Sequence, residues 1–174
     1  YHYVREIKNS KYPKIKGVEL EIFKKQLDYL KLNFNIINGD DLIDFFVQKK
    51  DLPNNSCLLT FDDGYKEHKT NVLPELIKRN IKGVFFPPAK AILEHDLLDA
   101  NAIHYILADE SSDRALLKKI FNLCLERSIT LETINDWKKN NFITNDKFDS
   151  AERILIKRLL QYLSKKDPKA YTDI

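Results

Sequence analysis

The sequence predicts an α/β protein, with about four strands alternating with helices over residues 1–94 and helices alone over residues 95–174. Two observations support this prediction. Short apolar segments rich in β-favouring residues alternate with amphipathic segments in the first part, and only helical periodicity recurs in the second. A closed barrel of this alternating type needs about eight strands. We therefore expect a partial barrel followed by a helical insertion or subdomain, in a chain that lacks the remainder of the barrel.

The first part begins with a strand at residues 1–4. An amphipathic helix follows, because its apolar residues recur at spacings of 3, 4 and 3: Leu20, Phe23, Leu27 and Leu30. Residues 34–37 are predicted as a short strand. The next helix begins near Asp40 or Asp41, since carboxylates stabilise a helix N-terminus. Its apolar residues are Leu42, Ile43, Phe45 and Phe46.

The third strand spans Cys57 to Phe61, an apolar run that follows the breaker cluster Pro53 to Ser56. Its continuous apolar character is typical of a fully buried strand in a parallel sheet. The fourth strand spans residues 83–86 and ends at Pro87 and Pro88. Between these strands we expect a helix with four inward residues: Val72, Leu73, Leu76 and Ile77.

The second part is predicted as four helices. They span about Leu98 to Ala108, Asp113 to Glu126, a short segment around Trp137, and Asp149 to Leu163, entered through Asp149 or Ser150. Residues 141–144 could form a strand. This helical part could shape a substrate mouth or could only bury apolar surface, and both readings stay open.

Asp62 and Asp63 directly follow the third strand, at the position where α/β enzymes carry their chemistry. Adjacent carboxylates repel, and in low-dielectric surroundings one would become protonated unless a cation or hydrogen-bond donors offset the charge. A divalent metal is the simplest such cation. Successive strand side chains point in opposite directions, so one acid can bind a metal while the other acts as a base. The alternative is a solvated Asx turn with Gly64 at a positive φ.

Thr60 to Tyr65 reads TFDDGY, which resembles the first signature of the polysaccharide deacetylase family, the NodB-homology carbohydrate esterases. Tyr1 to Val4 resembles the YHxV segment near the start of many such domains. Residues 71–76 resemble the helix after the motif, and residues 83–86 resemble the next barrel strand. The resemblance covers roughly the first half of the chain, and only TFDDGY is specific. It implies a partial (β/α) barrel of the NodB/deacetylase type.

Carried over residue by residue, the resemblance implies that Asp62 is the general base and that Asp63 is a metal ligand. The reaction would be removal of acetyl groups from N-acetylated sugars of a polysaccharide or glycan precursor. Zinc would be the metal, with cobalt or nickel as alternatives. The family takes two further ligands from an HxxxH-type motif, and this chain has no such pair. We therefore expect the chain by itself to be an inactive N-terminal fragment.

The four histidines do not share the close spacing that would bring two of them to one metal from a single element. His104 falls on the apolar face of a predicted helix, which indicates a partly buried side chain. His95 lies in a polar stretch typical of a loop. His68 could lie on the rim of the site or only near a helix N-terminus, and His2 could project into the barrel mouth.

The composition limits the classes of partner. There are 29 basic and 26 acidic residues, and this net charge of +3 is too balanced to indicate nucleic-acid binding. Two lysine groups, at residues 8–16 and 165–169, read as solvated faces, although a basic rim could help to hold an anionic glycan. No stretch resembles a membrane span or a secretory signal. Cys57 and Cys124 read as free core thiols, which leans toward a cytoplasmic location.

Two further hypotheses stay open. The chain could be a non-catalytic deacetylase-like domain that acts in binding or assembly, with its acidic pair serving as a structural turn. Two copies could also meet as a homo-oligomer to complete a barrel-like sheet, because an open sheet edge rarely stays uncovered.

Overall fold

The computed structural model describes residues 1–109, 112–139 and 149–174. The chain forms two compact units, Tyr1–Asp96 and Leu97–Ile174. The possible strand at residues 141–144 lies outside the described residues, and so does the side chain of Trp137.

The first unit contains two small parallel sheets. One pairs β1 (Val4–Arg5) with β2 (Val18–Glu19). The other has the order β3 (Asn35–Ile37), β4 (Ser56–Asp62) and β5 (Gly83–Phe86), so β4 lies in its centre. These sheets confirm the α/β class and the parallel strand expected before the acidic pair, whereas the partial barrel stays a prediction.

The helices of the first unit are α1 (Leu20–Asn33), α2 (Gly39–Gln48), α3 (Leu73–Lys78) and α4 (Ala89–Leu93). A π-helical turn, His68–Val72, precedes α3. The start of α2 is fixed by a capping box. The Asn38 side chain accepts hydrogen bonds from the backbone of Asp40 and Asp41, and the Asp41 carboxylate accepts one from the Asn38 backbone at 2.8 Å.

The core of the first unit joins α1 to β4. Phe23 and Leu27 of α1 are completely buried and belong to one apolar cluster with Leu59 and Phe61 of β4. The rings of Phe23 and Phe61 meet edge to face, with centroids 6.1 Å apart. Burial alternates toward the end of β4, so the expectation of a fully buried strand is wrong and one face of the strand carries the core contact.

The helix after the acidic pair buries a narrower face than the sequence predicted. Val72 and Leu76 are buried, but Leu73 is 40% exposed and Ile77 is 68% exposed. The change from π to α geometry shifts the angular position of successive side chains. The expected inward orientation of Leu73 and Ile77 is therefore wrong.

The first residue lies beside β4. The backbone nitrogen of Tyr1 donates to the carbonyl of Thr60 at 2.7 Å, and the N–H of Asp62 donates to the carbonyl of Tyr1 at 3.0 Å. This is the bonding pattern of a parallel pair in which Tyr1 is level with Phe61. The chain therefore runs past the carboxyl end of β4 before it enters β1.

The second unit is helical throughout its described residues. It contains α5 (Asp99–Asp109), α6 (Asp113–Glu126), α7 (Leu131–Lys139), α8 (Ala151–Lys166) and a 3₁₀ turn, Pro168–Asp173. Ser112 caps α6 and Ser150 caps α8. The four predicted helices are confirmed. Their shared core is led by Leu116, Ile120, Ile156, Leu159, Leu160 and Leu163.

One histidine of the second unit differs from its predicted burial. His104 is exposed, because Ile103 and Leu107 take the buried face of α5. The expected partial burial of His104 is therefore wrong.

Both cysteines are free thiols, with Cys57 half-buried and Cys124 completely buried. Burial raises the pKa of the Cys124 thiol. In the part of the chain that the structure describes, no helix combines the length and the apolar character needed to cross a bilayer.

Candidate active site

The acidic pair lies at the carboxyl end of β4, where the strand turns sharply. Asp62 is the last residue of β4 and is paired with Phe86 of β5. The N–H of Asp63 donates to the Phe86 carbonyl at 3.1 Å. Asp63 and Gly64 then have φ values of 72° and 62°, in the left-handed region that Asp tolerates and Gly favours. The pair is therefore both a tight turn and a source of two carboxylates.

Gly64 is required at this turn for a second reason. A Cβ at this position would lie 2.8 Å from the Cβ of Pro87, closer than ordinary contact allows. Pro87 follows β5, so the close approach fixes the loop after β4 against the end of β5. The turn thus sets where the two carboxylates leave the sheet.

The two carboxylates have different neighbours. The Oδ2 atom of Asp62 lies 3.7 Å from Nε2 of His2, and the side chains are 39% and 56% exposed, respectively. The Oδ2 atom of Asp63 accepts a hydrogen bond of 2.7 Å from the hydroxyl of Tyr65. Asp62 therefore faces a titratable, solvent-accessible partner, whereas Asp63 is bound by a neighbouring phenol.

Tyr65 is fixed under this turn as a hydrogen-bond donor. Its ring stacks on Tyr3, with centroids 4.3 Å apart. Burial, together with hydrogen bonds to Tyr3 and Asp63, raises the pKa of the Tyr65 phenol far above its ordinary value. The phenol is therefore neutral at physiological pH and can donate to Asp63.

His68 lies beneath the site rather than on its rim. Its side chain is only 4% exposed and contacts the rings of Phe61, Phe85 and Tyr65. Its Nε2 atom is 2.7 Å from the carbonyl oxygen of His2. Because a carbonyl can only accept, Nε2 carries the proton, and Nδ1 finds no hydrogen-bond partner among the described residues.

The N-terminal segment is fixed to the segment after the acidic pair by a series of contacts. Besides the bond from His68 to His2, the amide of Asn71 donates to the Val4 carbonyl at 3.0 Å. Nε of Arg5 donates to the carboxylate of Glu67 at 2.6 Å. These contacts hold the backbone of His2 in register with β4, and they explain why its imidazole reaches Asp62.

The site residues do not complete a metal centre. Within residues 1–109, 112–139 and 149–174, no three His, Cys, Asp or Glu side chains come close enough together to hold a metal ion. His95 is exposed at a left-handed φ of 54°, as its polar surroundings predicted, and it belongs to no such group. Asp63 can offer a carboxylate, but the described residues do not fit a complete zinc site, which uses three or four protein ligands.

The cavity with about 440 Å³ of free volume lies elsewhere in the first unit. Its lining follows the edge strand β3 along its whole length and includes residues of α2 and of the segments before β4 and β5. Neither Asp62 nor Asp63 belongs to this lining. This cavity is therefore not part of the candidate active site.

Sequence reasoning missed the residues that support the acidic pair. Tyr3 and Asn71 act through long-range contacts that no local pattern encodes, whereas Tyr65 donates to Asp63, two residues before it. The sequence did hold a signal for Tyr65, because its phenol is a hydrogen-bond donor next to the motif's two carboxylates. Tyr65 follows the Asp-Asp-Gly turn directly, within reach of the acid two residues before it.

Comparison with known proteins supports the reading of the motif. The family model described as polysaccharide deacetylase matches residues 49–122, a stretch that contains Asp62 and Asp63 and extends into α6. The match starts later in the chain than the YHxV-like segment and ends beyond the predicted boundary at residue 94. No curated protein and no solved structure matches the chain. The resemblance carried by TFDDGY is therefore confirmed, and within this chain residues 49–122 match the polysaccharide deacetylase family.

Proposed function

We propose that this protein removes acetyl groups from N-acetylated sugars of a polysaccharide or glycan precursor. The observation that carries the proposal is the position of Asp62 at the carboxyl end of β4, inside the segment that matches the deacetylase family. Parallel-strand enzymes carry their reactive groups at this end of the sheet. The family match suggests carbohydrate deacetylase activity. The approach of His2 to Asp62 gives that activity a chemical basis, because it brings a possible proton donor to a possible base.

Asp62 is proposed as the general base. Its carboxylate is partly solvent-accessible, so a water molecule beside it can lose a proton to it while attacking the acetyl carbonyl. The carbon–nitrogen bond then breaks, and the products are acetate and a sugar amine. The leaving nitrogen must gain a proton.

His2 is proposed as the source of that proton. Its imidazole is the titratable group that faces Asp62, and it is itself more than half exposed. A protonated imidazole can donate a proton to the leaving nitrogen as a general acid. The assignment extends the sequence prediction, in which His2 was only one residue that could project into the site.

Asp63 is proposed as a metal ligand, with zinc as the metal and cobalt or nickel as alternatives. When bound, such an ion would polarise the acetyl carbonyl as a Lewis acid. The described residues supply no complete ligand set around Asp63. We therefore expect this chain by itself to bind zinc weakly in equilibrium dialysis, and tight stoichiometric binding would contradict this expectation.

Acetate release from N-acetylglucosamine oligosaccharides by the full-length protein tests the proposed reaction. Asp62→Asn should lower the rate by about 100-fold to 10,000-fold, the usual contribution of a positioned base. The matched control is Asp51→Asn, which removes an exposed carboxylate between α2 and β4. Equal activity of the Asp62→Asn protein and the control would disprove the role of Asp62, and absence of acetate release from the unmodified protein would disprove the reaction.

A further inference from the structure

His68 is the only one of the four histidines that is buried. Its ring lies against three aromatic side chains, with centroids 5.7 Å from Phe61, 5.9 Å from Phe85 and 5.5 Å from Tyr65. Phe61 belongs to the core of the first unit, and Phe85 packs against that core. The position of the imidazole is therefore fixed by the core and not by solvent-exposed contacts.

The two ring nitrogens of His68 have unequal surroundings. Nε2 donates to the carbonyl of His2 at 2.7 Å, whereas Nδ1 is buried and has no hydrogen-bond partner among the described residues. A buried polar atom without a partner costs stability, and an apolar side chain of similar size would avoid that cost. Such exceptions call for an explanation beyond packing. The bond from Nε2 to His2 is the contribution that an apolar residue could not make.

The side chain of His2 depends on this bond for its position. The imidazole is 56% exposed, so packing contributes little to where it lies, yet its Nε2 atom is 3.7 Å from the Asp62 carboxylate. The backbone on either side is tied down, by Tyr1 pairing with β4 and by the bond from Asn71 to the Val4 carbonyl. Between these two points, the bond from His68 holds the backbone of His2 itself.

We propose that His68 is a positioning residue for the acid–base pair, in which its Nε2–H holds the His2 carbonyl and thereby keeps the His2 imidazole beside Asp62. The inference rests on the proposed deacetylase function for its kinetic consequences. His68 is buried beneath the site, so it acts through His2 and not on the substrate. A displacement of about 1 Å in a reacting group can lower a rate by about 100-fold. His68 therefore governs the chemical step more than substrate binding.

Two substitutions of His68 separate the hydrogen bond from the space that the ring fills. His68→Leu removes the donor and keeps an apolar side chain among the three rings. It should lower kcat by about 100-fold and change KM by less than about threefold, measured as acetate release from N-acetylglucosamine oligosaccharides by the full-length protein. His68→Gln keeps an N–H donor on a side chain that can reach the same carbonyl. It should recover at least about tenfold of the lost rate.

Val72→Ala is the matched control for a purely structural effect. Val72 lies in the same π-helical turn as His68 and is completely buried in the core cluster of the first unit. Its truncation weakens the packing of the turn and leaves the bond to His2 in place. Val72→Ala should lower the free energy of unfolding in urea and release acetate at the unmodified rate. An equal loss of kcat in Val72→Ala and His68→Leu would overturn the inference.

Amide hydrogen exchange measured by NMR tests the positioning without requiring turnover. The N–H of Asp62 donates to the Tyr1 carbonyl, whereas the N–H of Asp63 donates to the Phe86 carbonyl of β5. In His68→Leu the start of the chain should separate from β4 more often, so the Asp62 amide should exchange at least about tenfold faster. The Asp63 amide is the internal control and should keep its rate. Equal acceleration of both amides would indicate a general loss of stability and would overturn the inference.

Combining His68→Leu with His2→Gln identifies the residue through which His68 acts. The double variant should be no slower than His2→Gln alone, because the positioned imidazole is already absent. A further loss of rate would overturn the inference. Unchanged kcat in His68→Leu would also disprove it and would leave the proposed function intact. Selective exchange of the Asp62 amide, without acetate release from the unmodified protein, would support the positioning of His2 and disprove the deacetylase reaction.

Discussion

The imidazole of His2 lies 3.7 Å from the carboxylate of Asp62, although the two residues are far apart in the sequence. The contact depends on the hydrogen bond from His68 to the His2 carbonyl and on the parallel register of Tyr1 with β4. Backbone order at the start of the chain is thus directly coupled to the chemistry at the end of β4.

If His2 and Asp62 act as an acid–base pair in one reaction, their substitutions should not be additive. We expect His2→Gln and Asp62→Asn each to lower the rate of acetate release by about 100-fold or more. The double variant should be about as slow as the slower single variant, because residues that act as a unit lose their function together. The measurement is a double-mutant cycle on acetate release by the full-length protein.

Independent action of the two residues would give a different result. The rate losses of the single variants would then multiply in the double variant. His95→Gln is a matched control, because His95 is exposed and lies outside the site. By itself, His95→Gln should release acetate at the unmodified rate. Added to Asp62→Asn, it should cause no further loss of rate.

Asp63 has a backbone role that can be separated from its carboxylate. Its φ of 72° is tolerated by Asn but is strained for a β-branched residue. We expect Asp63→Asn to change the free energy of unfolding by less than about 0.5 kcal/mol, and Asp63→Val to lower it by about 1–2 kcal/mol. Both variants should lose acetate release. Urea unfolding followed by circular dichroism measures the first quantity, and equal stability of the two variants would show that the turn relaxes.

Gly64 should be among the least tolerant positions of the site. Gly64→Ala adds a methyl group at a φ of 62° and 2.8 Å from the Cβ of Pro87, so we expect the free energy of unfolding to fall by at least about 1–2 kcal/mol. Gly39→Ala is the matched control. Gly39 begins α2, and its added Cβ would meet only a methyl group of Val84 at 3.1 Å. A smaller loss for Gly64→Ala than for Gly39→Ala in urea unfolding would refute this account of the turn.

The sequence predicted the elements that local patterns specify. The bounds of α6 are correct because its apolar residues recur at helical spacing and Ser112 provides a cap. The strand before the acidic pair is correct because a breaker cluster precedes a continuous apolar run. By contrast, β2 consists of two residues, too few to show any periodicity, and it forms only because β1 lies beside it.

The positions of Asp62 and Asp63 were predictable because they depend on where one strand ends. Their neighbours were not. The burial of His68 and its bond to the His2 carbonyl depend on how the chain returns past β4, which is a property of the tertiary structure. The exposure of Ile77 similarly depends on the π-helical turn before α3, which the apolar spacing alone does not reveal.

Tyr65 should make stability depend on alkaline pH. Burial and its hydrogen bonds raise the pKa of the folded phenol above the ordinary value of 10.0, so the unfolded chain ionises first as pH rises. The stability that depends on the neutral phenol is fully present below about pH 10 and is lost as pH rises toward the folded pKa. We therefore expect unmodified protein to lose more stability than Tyr65→Phe between about pH 9 and pH 11, measured by urea unfolding.

The matched control for this experiment is Tyr29→Phe, which removes a phenol that is 61% exposed on α1. Because Tyr29 is not the donor to Asp63, this comparison shows whether the alkaline loss of stability is specific to the Tyr65 phenol. At neutral pH, Tyr65→Phe should still lower the free energy of unfolding by about 1 kcal/mol, because the Asp63 carboxylate loses a hydrogen bond. The contrary result would be a parallel loss of stability in Tyr65→Phe and the unmodified protein above about pH 10. The Tyr65 phenol would then ionise as readily in the folded chain as in the unfolded one. Its role as the fixed donor to Asp63 would be wrong.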